Sequence, residues 1–361
     1  MTIRKETVIF LCGKMCVAGE IGDILAIFQT NGSCFWYVET GGGPSAAEKR
    51  RRDHMPPGSI GEAWSPNVGG KERFGMAKIV RKKVLNPSVT LLEVEAPLIA
   101  KKAQAGQFII LRLDEEGERI PLTIGDFDRE KGTITIMFQK VGLTTELLGD
   151  LNEGDSIRDF VGPLGQPTRP ELGDVKRVCV VGGGVGCAIA YPQAKHLHAE
   201  GIEVDVIAGF RSKDIVILED EFKAACDNFY LTTDDGTYGE KGFVTDKLKA
   251  LIESGKQYDA VIAIGPVPMM KFVCKTTEPF GIKTLVSLNP IMVDGTGMCG
   301  GCRVTVGGKV KFACVDGPDF DGHQVDFDEL MNRNTIYREQ EAAAKEQHEC
   351  RMERLGRQLI Q

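Results

Sequence analysis

No run of apolar residues in this 361-residue chain reaches the roughly 18 needed for a membrane-spanning helix. A secretory leader is not expected either, since the weak candidate VIFLCGKMCVAG is broken by Lys14. Concentrated positive charge is scarce: the net charge is −7, the pI is near 5.5, and the main basic run, Lys49–Arg52, is short. Phosphate backbones need a dense cationic surface, so nucleic acid is excluded as a partner. Eleven cysteines are too few for a disulfide scaffold in a chain of this length. No nucleophile or acid–base triad is apparent, so no catalytic side chain is assigned. What remains is a chain with 42% hydrophobic and 26% charged residues, long enough for two or three domains with their own cores. A soluble protein of the reducing cytoplasm is the expectation.

The texture changes along the chain. Residues 1–75 include ETGGGPSAAEKRRRDHMPPGSIGEAWSPNVGGKERFG, dense in Gly, Pro and charge, and read as a poorly ordered extension, which translation from a start upstream of a native Met76 would explain. From Met76 to about residue 170, alternating runs such as MAKIVRKKV, VTLLEVEA, GQFIILRL and GTITIMFQ predict half-buried strands of a small antiparallel barrel. Over 171–287 strands alternate with helices, beginning with RVCVVGGG and AIAYPQAKHLHAEG, which predicts βαβ units and a Rossmann-like parallel sheet. A cysteine-bearing unit follows at 288–330, then a polar helical tail at 331–361. The fold class is thus mixed β and α/β.

Three motifs carry chemistry. VVGGGVG sits where a strand meets a helix, and Gly182, Gly183, Gly184, Val185 and Gly186 there suit a dinucleotide diphosphate, which needs bare backbone and a helix N-terminus. Arg211 and Asp214 follow the next strand, where an adenosine ribose is read, and Gly265, Pro266 and Met269 lie at the end of another strand. In the barrel, Arg119 and Thr123 with Gly142, Thr144 and Thr145 at a helix start suggest donors for a flavin and an anion site for its diphosphate. The segment VDGTGMCGGCRVTVGGKVKFAC brings Cys299, Cys302 and Cys314 into a loop with glycines at 295, 297, 300 and 301. Structural zinc, a redox dithiol and an iron–sulfur cluster all fit this spacing, and the glycines, which free backbone amides to face sulfide, favour the cluster. The nearest histidine, His323, falls nine residues past Cys314 and reads as a loop residue.

From Met76 to about Tyr337 the chain resembles the ferredoxin-NADP reductase-like flavoproteins that act as electron-transfer subunits. That family includes the small subunits of NADH-dependent reduced ferredoxin:NADP oxidoreductase (sulfide dehydrogenase) and of dihydroorotate dehydrogenase. GERIPLTI, DFVGPLGQP, VVGGGVG, TTDDGTYGEKGFVTD, AIGPVPMMK and SLNPIMVDGTGMCGGCRVTVGGKVKFACVDGPDFDGHQVDFDEL carry the likeness. It implies an FAD barrel, an NAD(H) or NADP(H) domain and a [2Fe–2S] loop, with electrons passing to a larger flavin and iron–sulfur subunit and, through it, to ferredoxin. Flavin contacts would fall on Pro121, Leu122, Thr123, Met137, Phe138, Gln139, Thr144 and Thr145. The usual flavin arginine position holds Ile120, with Arg119 one residue earlier, and Ile189 stands where the glycine loop is commonly followed by Pro. Dihydroorotate-type relatives have a cysteine ligand five residues before the C-x-x-C pair, and here that position is Asp294, which the resemblance therefore makes the fourth ligand. A stand-alone diaphorase or ferredoxin reductase, and a zinc-stabilised adaptor without enzymatic activity, are the competing readings.

Overall fold

In the computed structural model the described residues are 76–359, apart from 116 and 169–171, together with four short strands before residue 38. Those strands form two antiparallel hairpins, β1 (Thr7–Cys12) with β2 (Met15–Glu20) and β3 (Ala26–Thr30) with β4 (Ser33–Tyr37). They belong to a compact unit, Met1–Glu72, separate from Arg73–Gln361. The expected poorly ordered extension thus carries hairpins at TVIFLC and AIFQT, whose β-branched and aromatic residues favour extended chain. The rest of 1–75 lies outside the described residues.

The second unit opens with β5 (Ala77–Asn86), β6 (Val89–Glu95), β7 (Phe108–Arg112), β8 (Ile120–Asp128), β9 (Thr133–Gln139), β10 (Ser156–Ile157) and β11 (Asp159–Leu164). All pair antiparallel in the order β10-β5-β6-β9-β8-β7-β11, a nearly closed barrel. Alternation selects the inner face, so Ile79, Leu92, Ile109, Ile136 and Phe138 meet in one buried core with Leu148 of the helix Leu143–Asp150.

Next come β12 (Arg177–Gly183), β13 (Glu203–Phe210), β14 (Asn228–Thr233), β15 (Glu240–Lys241), β16 (Ala260–Ile264) and β17 (Lys283–Ser287), all parallel. The hairpin β18 (Arg303–Val306) and β19 (Lys309–Phe312) follows, then β20 (Asp319–Asp321). The sheet order is β15-β14-β13-β12-β16-β17-β20. The chain leaves β12 toward β13 on one side and returns to β16 on the other, which opens a crevice at the carboxyl ends of these strands. Helices Gly186–Ala199, Val244–Glu253 and Val267–Thr277 cover the near-continuous apolar strands.

The cysteine segment is less separate than its composition suggests. β20 joins the edge of the parallel sheet antiparallel to β17, pairing Val286 with Phe320. Cys302 and Cys314 are buried in the same apolar cluster as Val286, Val273 and Leu330. The cysteine unit expected from residue 288 keeps its own two-stranded hairpin, β18 with β19, and is joined to the parallel sheet through β20 and this shared cluster. The tail is helical over Arg338–Leu359, and Lys345 pairs with Glu146 of the barrel helix at 2.7 Å.

Candidate functional site

A cleft of about 910 Å³ opens where the carboxyl ends of the parallel strands face the barrel. Its floor is Gly183 from β12, Gly209 and Phe210 from β13, Ile264 and Gly265 at β16 and Ser287 from β17. The barrel contributes Asn86, Ser88, Val89 and Gln139. The two walls are fixed to one another. Asn86 accepts the amides of Ser88 and Val89 through Oδ1 at 2.9 and 2.8 Å and donates from Nδ2 to the Ile215 carbonyl at 3.2 Å, so one side chain both shapes the barrel hairpin and grips the sheet domain. Lys195 adds an ion pair to Asp126 at 2.7 Å.

The glycines differ in what they do. Gly184 has φ +56, a left-handed conformation that glycine takes at least cost, and its amide donates to the Gly209 carbonyl at 2.8 Å. Gly186 opens the helix Gly186–Ala199 where it crosses β16: a Cβ there would stand 2.4 Å from the Ile264 carbonyl oxygen and 2.7 Å from Gly265 Cα. Both are backbone atoms, so the crossing would have to open. Gly186→Ala is therefore expected to cost about 2 kcal/mol of stability and to weaken dinucleotide binding at least tenfold, as thermal unfolding and NADH titration will report. Gly182 does not line the cleft. It packs on the helix, where a Cβ would lie 2.9 Å from Cys187 Sγ.

Of the other dinucleotide residues expected from sequence, Val185, Arg211, Pro266 and Met269 line the cleft. Asp214 does not: the 3-10 turn Lys213–Ile215 leaves it exposed and brings Ser212 and Ile215 to the wall instead. Sequence reasoning missed Phe243 and Phe272, 62% and 57% exposed on the rim, and Asn289. A glycine at the end of the apolar run EVDVIAGF was the available signal for Gly209, whereas nothing local marked the two phenylalanines.

On the barrel, Pro121, Leu122 and Thr123 are half-buried on β8, opposite Ile110, Ile109 and Phe108 of β7. Gln139 reaches the cleft, and Met137 is buried between barrel and sheet domain. Phe138 points into the barrel core, so only its backbone is available to a ligand. Thr144 donates its hydroxyl to Glu118 at 2.8 Å. Thr145 Oγ1 accepts the amides of Val141 and Gly142, each at 3.0 Å, and donates to the Gly142 carbonyl. Both hydroxyls are thus used locally, and the helix Leu143–Asp150 starts without a side-chain cap. Arg119 turns away from the strand face and donates from Nε to the carbonyl of Val293 at 2.7 Å.

That bond leads to the cysteine loop. Gly295 and Gly297 both have φ +84 and Gly300 has +66, so the chain coils back on itself between Asp294 and Cys302. The Gly301 amide donates to Cys299 Sγ and the Cys314 amide to Cys302 Sγ, both at 3.4 Å, which is the direction that stabilises thiolate sulfur. Cys302 and Cys314 are buried and adjacent, and Cys299 is exposed. Burial first, and the Cys302 thiol beside it second, push Cys314 up to about 12, so metal must displace a proton there. Asp294 Oδ2 accepts from the Thr296 hydroxyl, the Thr296 amide at 2.9 Å and the Met298 amide at 3.2 Å. These bonds, the Thr296 hydroxyl foremost, hold its carboxyl below the usual range. Among the described residues no three His, Cys, Asp or Glu side chains gather tightly enough for a single metal ion.

Residues 289–326 match the family model of the iron–sulfur cluster binding domain of dihydroorotate dehydrogenase B. A protein from the adh 3′ region of Clostridium beijerinckii is 55% identical over 276 residues, covering 75% of this chain and 93% of that protein. The Thermotoga maritima homologue of the dihydroorotate dehydrogenase B (NAD(+)) electron transfer subunit is 48% identical over 269 residues, covering 74% of this chain and 94% of its own. A chain from the solved structure of NADH-dependent reduced ferredoxin-NADP oxidoreductase superposes with a TM-score of 0.71 at 45% identity, over 78% of this chain and 99% of that one. Barrel, crevice sheet and cysteine loop recur there in one chain, and this protein belongs to the family of dihydroorotate dehydrogenase B electron-transfer subunits and their homologues, as an oxidoreductase subunit.

Proposed function

We propose that this chain carries electrons between NAD(P)H in the cleft, FAD on the barrel and a [2Fe–2S] cluster held by Asp294, Cys299, Cys302 and Cys314, and delivers them to a larger flavin and iron–sulfur partner in the cytoplasm. One observation carries this reading: the barrel lies between the cleft and the cysteine loop and touches both. β7 and β8 pair Ile110 with Pro121, and Ile110 Cδ1 lies 2.6 Å from where a Cβ on Gly295 would stand. A single strand thus separates the flavin-binding residues from the cluster loop. Gln166 extends the seam by donating from its amide nitrogen and Nε2 to the carbonyls of Gly317 and Val315 at 2.6 and 2.9 Å.

The donor sets fit these groups. The bare backbone of Gly183–Gly186 at the start of a 14-residue helix suits a diphosphate, and the first-turn amides of Leu143–Asp150 suit another beside Pro121–Thr123. Three thiols with amides aimed at sulfur, and one ionised carboxylate, suit a two-iron cluster. When bound, flavin exchanges hydride with nicotinamide and single electrons with iron–sulfur centres. The chain's own part is to hold and shield. Gln139 and Val89 on the barrel wall line the cleft together with Gly265 and Met269 of the sheet domain. Asn86 and Lys195 keep the two walls in register. Ionised Asp294 adds a hard oxygen donor to the softer thiolates.

The purified protein should be brown, with flavin and [2Fe–2S] absorption bleached by NADH or NADPH, and from its native source it should co-elute with a larger iron-containing chain on size exclusion. A colourless zinc protein would overturn the electron-transfer reading. A monomer with full ferredoxin-linked activity would overturn the subunit reading alone.

A further inference from the structure

Arg333, the last residue of the helix Phe327–Arg333, donates from Nη2 to the carbonyl of Gly301 at 3.0 Å. Gly301 lies within the C-x-x-C pair, between Cys299 and Cys302. The helix is packed there from below, since Leu330 shares a buried cluster with Cys302 and Cys314. Two features of this arginine are unusual. Its Nε is buried and has no hydrogen-bond partner. Among the described residues no carboxylate forms an ion pair with it, although the chain has more acids than bases, 51 against 44. A half-buried guanidinium without a counter-charge, and with an unused N–H, is costly unless something anionic completes it. The neighbours that the structure gives it are the loop that presents the cysteines.

We propose that Arg333 is a positioning residue that tunes the cluster: its counter-charge is the anionic iron–sulfur centre, and its cation makes that centre easier to reduce. The inference rests on the cluster reading above. Reduction adds one electron to a centre that is already negative with three thiolates and a carboxylate, so a fixed cation close by stabilises the reduced form more than the oxidised one. Arg119 secures the other end of the same loop at Val293, but it comes from the barrel and reaches the loop outside the cysteine pair. Arg333 combines charge and a buried, unused donor with a bond to the carbonyl between Cys299 and Cys302.

The test is a potentiometric titration of the intact protein, followed by EPR, for the wild type, Arg333→Gln and Arg333→Lys, with exposed Lys309→Gln as a control for net charge. Arg333→Gln is expected to keep its iron and to show at least a tenfold fall in the equilibrium constant for reduction, about 59 mV toward more negative potential for one electron. Arg333→Lys, which keeps the charge, should stay within about a third of that shift, and Lys309→Gln should not move. An unchanged midpoint in Arg333→Gln with normal iron overturns the proposal. So does an equal shift in Gln and Lys variants, or complete loss of iron from Arg333→Gln, either of which makes the side chain a structural support and not a source of charge. A wild-type protein without iron would overturn the cluster reading itself, which separates the two failures.

Discussion

Asp294→Ala is expected to leave a folded flavoprotein that has lost most of its iron. The alanine removes the proposed oxygen ligand and, at the same time, the acceptor that holds the Thr296 and Met298 amides, so the loop would lose both that ligand and its closure. Asp294→Asn separates these. An amide oxygen retains the local turn and the size of the side chain but supplies no anionic ligand, so iron should fall nearly as far as in the alanine variant while thermal stability of the iron-free protein stays within about 0.5 kcal/mol of wild type. Asp294→Cys should keep the cluster and change its potential and EPR signal, because ligand identity is one of the levers on both. Iron analysis, EPR and thermal unfolding of the three variants check this. Normal iron and an unaltered EPR spectrum in Asp294→Asn would remove Asp294 from the ligand set.

The second large effect concerns stability and lies at the opposite end of the sheet. Asp205 on β13 has a fully buried side chain that accepts from Tyr258 Oη at 2.6 Å, from Asn228 Nδ2 at 2.7 Å and from Lys256 Nζ. Lys256 also reaches Tyr230 Oη at 3.0 Å. Asp205→Ala removes the acceptor shared by three donors and leaves Lys256 only its bond to Tyr230. Lys256 retains contact with water, so the expected loss is about 3 kcal/mol, or a fall of roughly 6–12 °C in the thermal midpoint. Dinucleotide affinity should change little, because these groups sit at the amino ends of the strands, away from the cleft.

The same network has a pH signature. Burial opposes ionisation of Asp205, and the bonds from Lys256, Tyr258 and Asn228 outweigh it, so its carboxyl titrates below the usual carboxylate range. A group whose folded value is depressed stabilises the fold fully above its unfolded pKa, about 4, and loses that contribution as pH falls through the folded value. Thermal midpoints of wild type and Asp205→Asn should therefore stand apart at neutral pH and converge below about pH 4. A gap that stays constant into acid would show that Asp205 contributes shape and no charge.

The sequence by itself determined the architecture of the barrel and the sheet, and the chemistry of three motifs. Period-two alternation in VTLLEVEA and GTITIMFQ, and continuous apolar runs in RVCVVGGG and YDAVIAIGP, are local consequences of how one or both faces of a strand are buried. Glycines at a strand end, and thiols spaced in a glycine loop, are legible because close approach of backbone to a ligand imposes them wherever they occur. Tertiary structure alone decided where the side chains went next. Nothing near Arg119 in the chain foretells Val293, 174 positions away, and nothing near Arg333 foretells Gly301, because each bond depends on which surfaces pack together. Asp214 left the cleft because a 3-10 turn rotated it outward, and Thr144 and Thr145 spent their hydroxyls on neighbours at their own helix start. That the unit expected from residue 288 lends β20 to the edge of the parallel sheet was likewise decided by packing. Periodicity reports how much of each element is buried. It does not report against what, and at this site the partner against which a residue is buried determines its role.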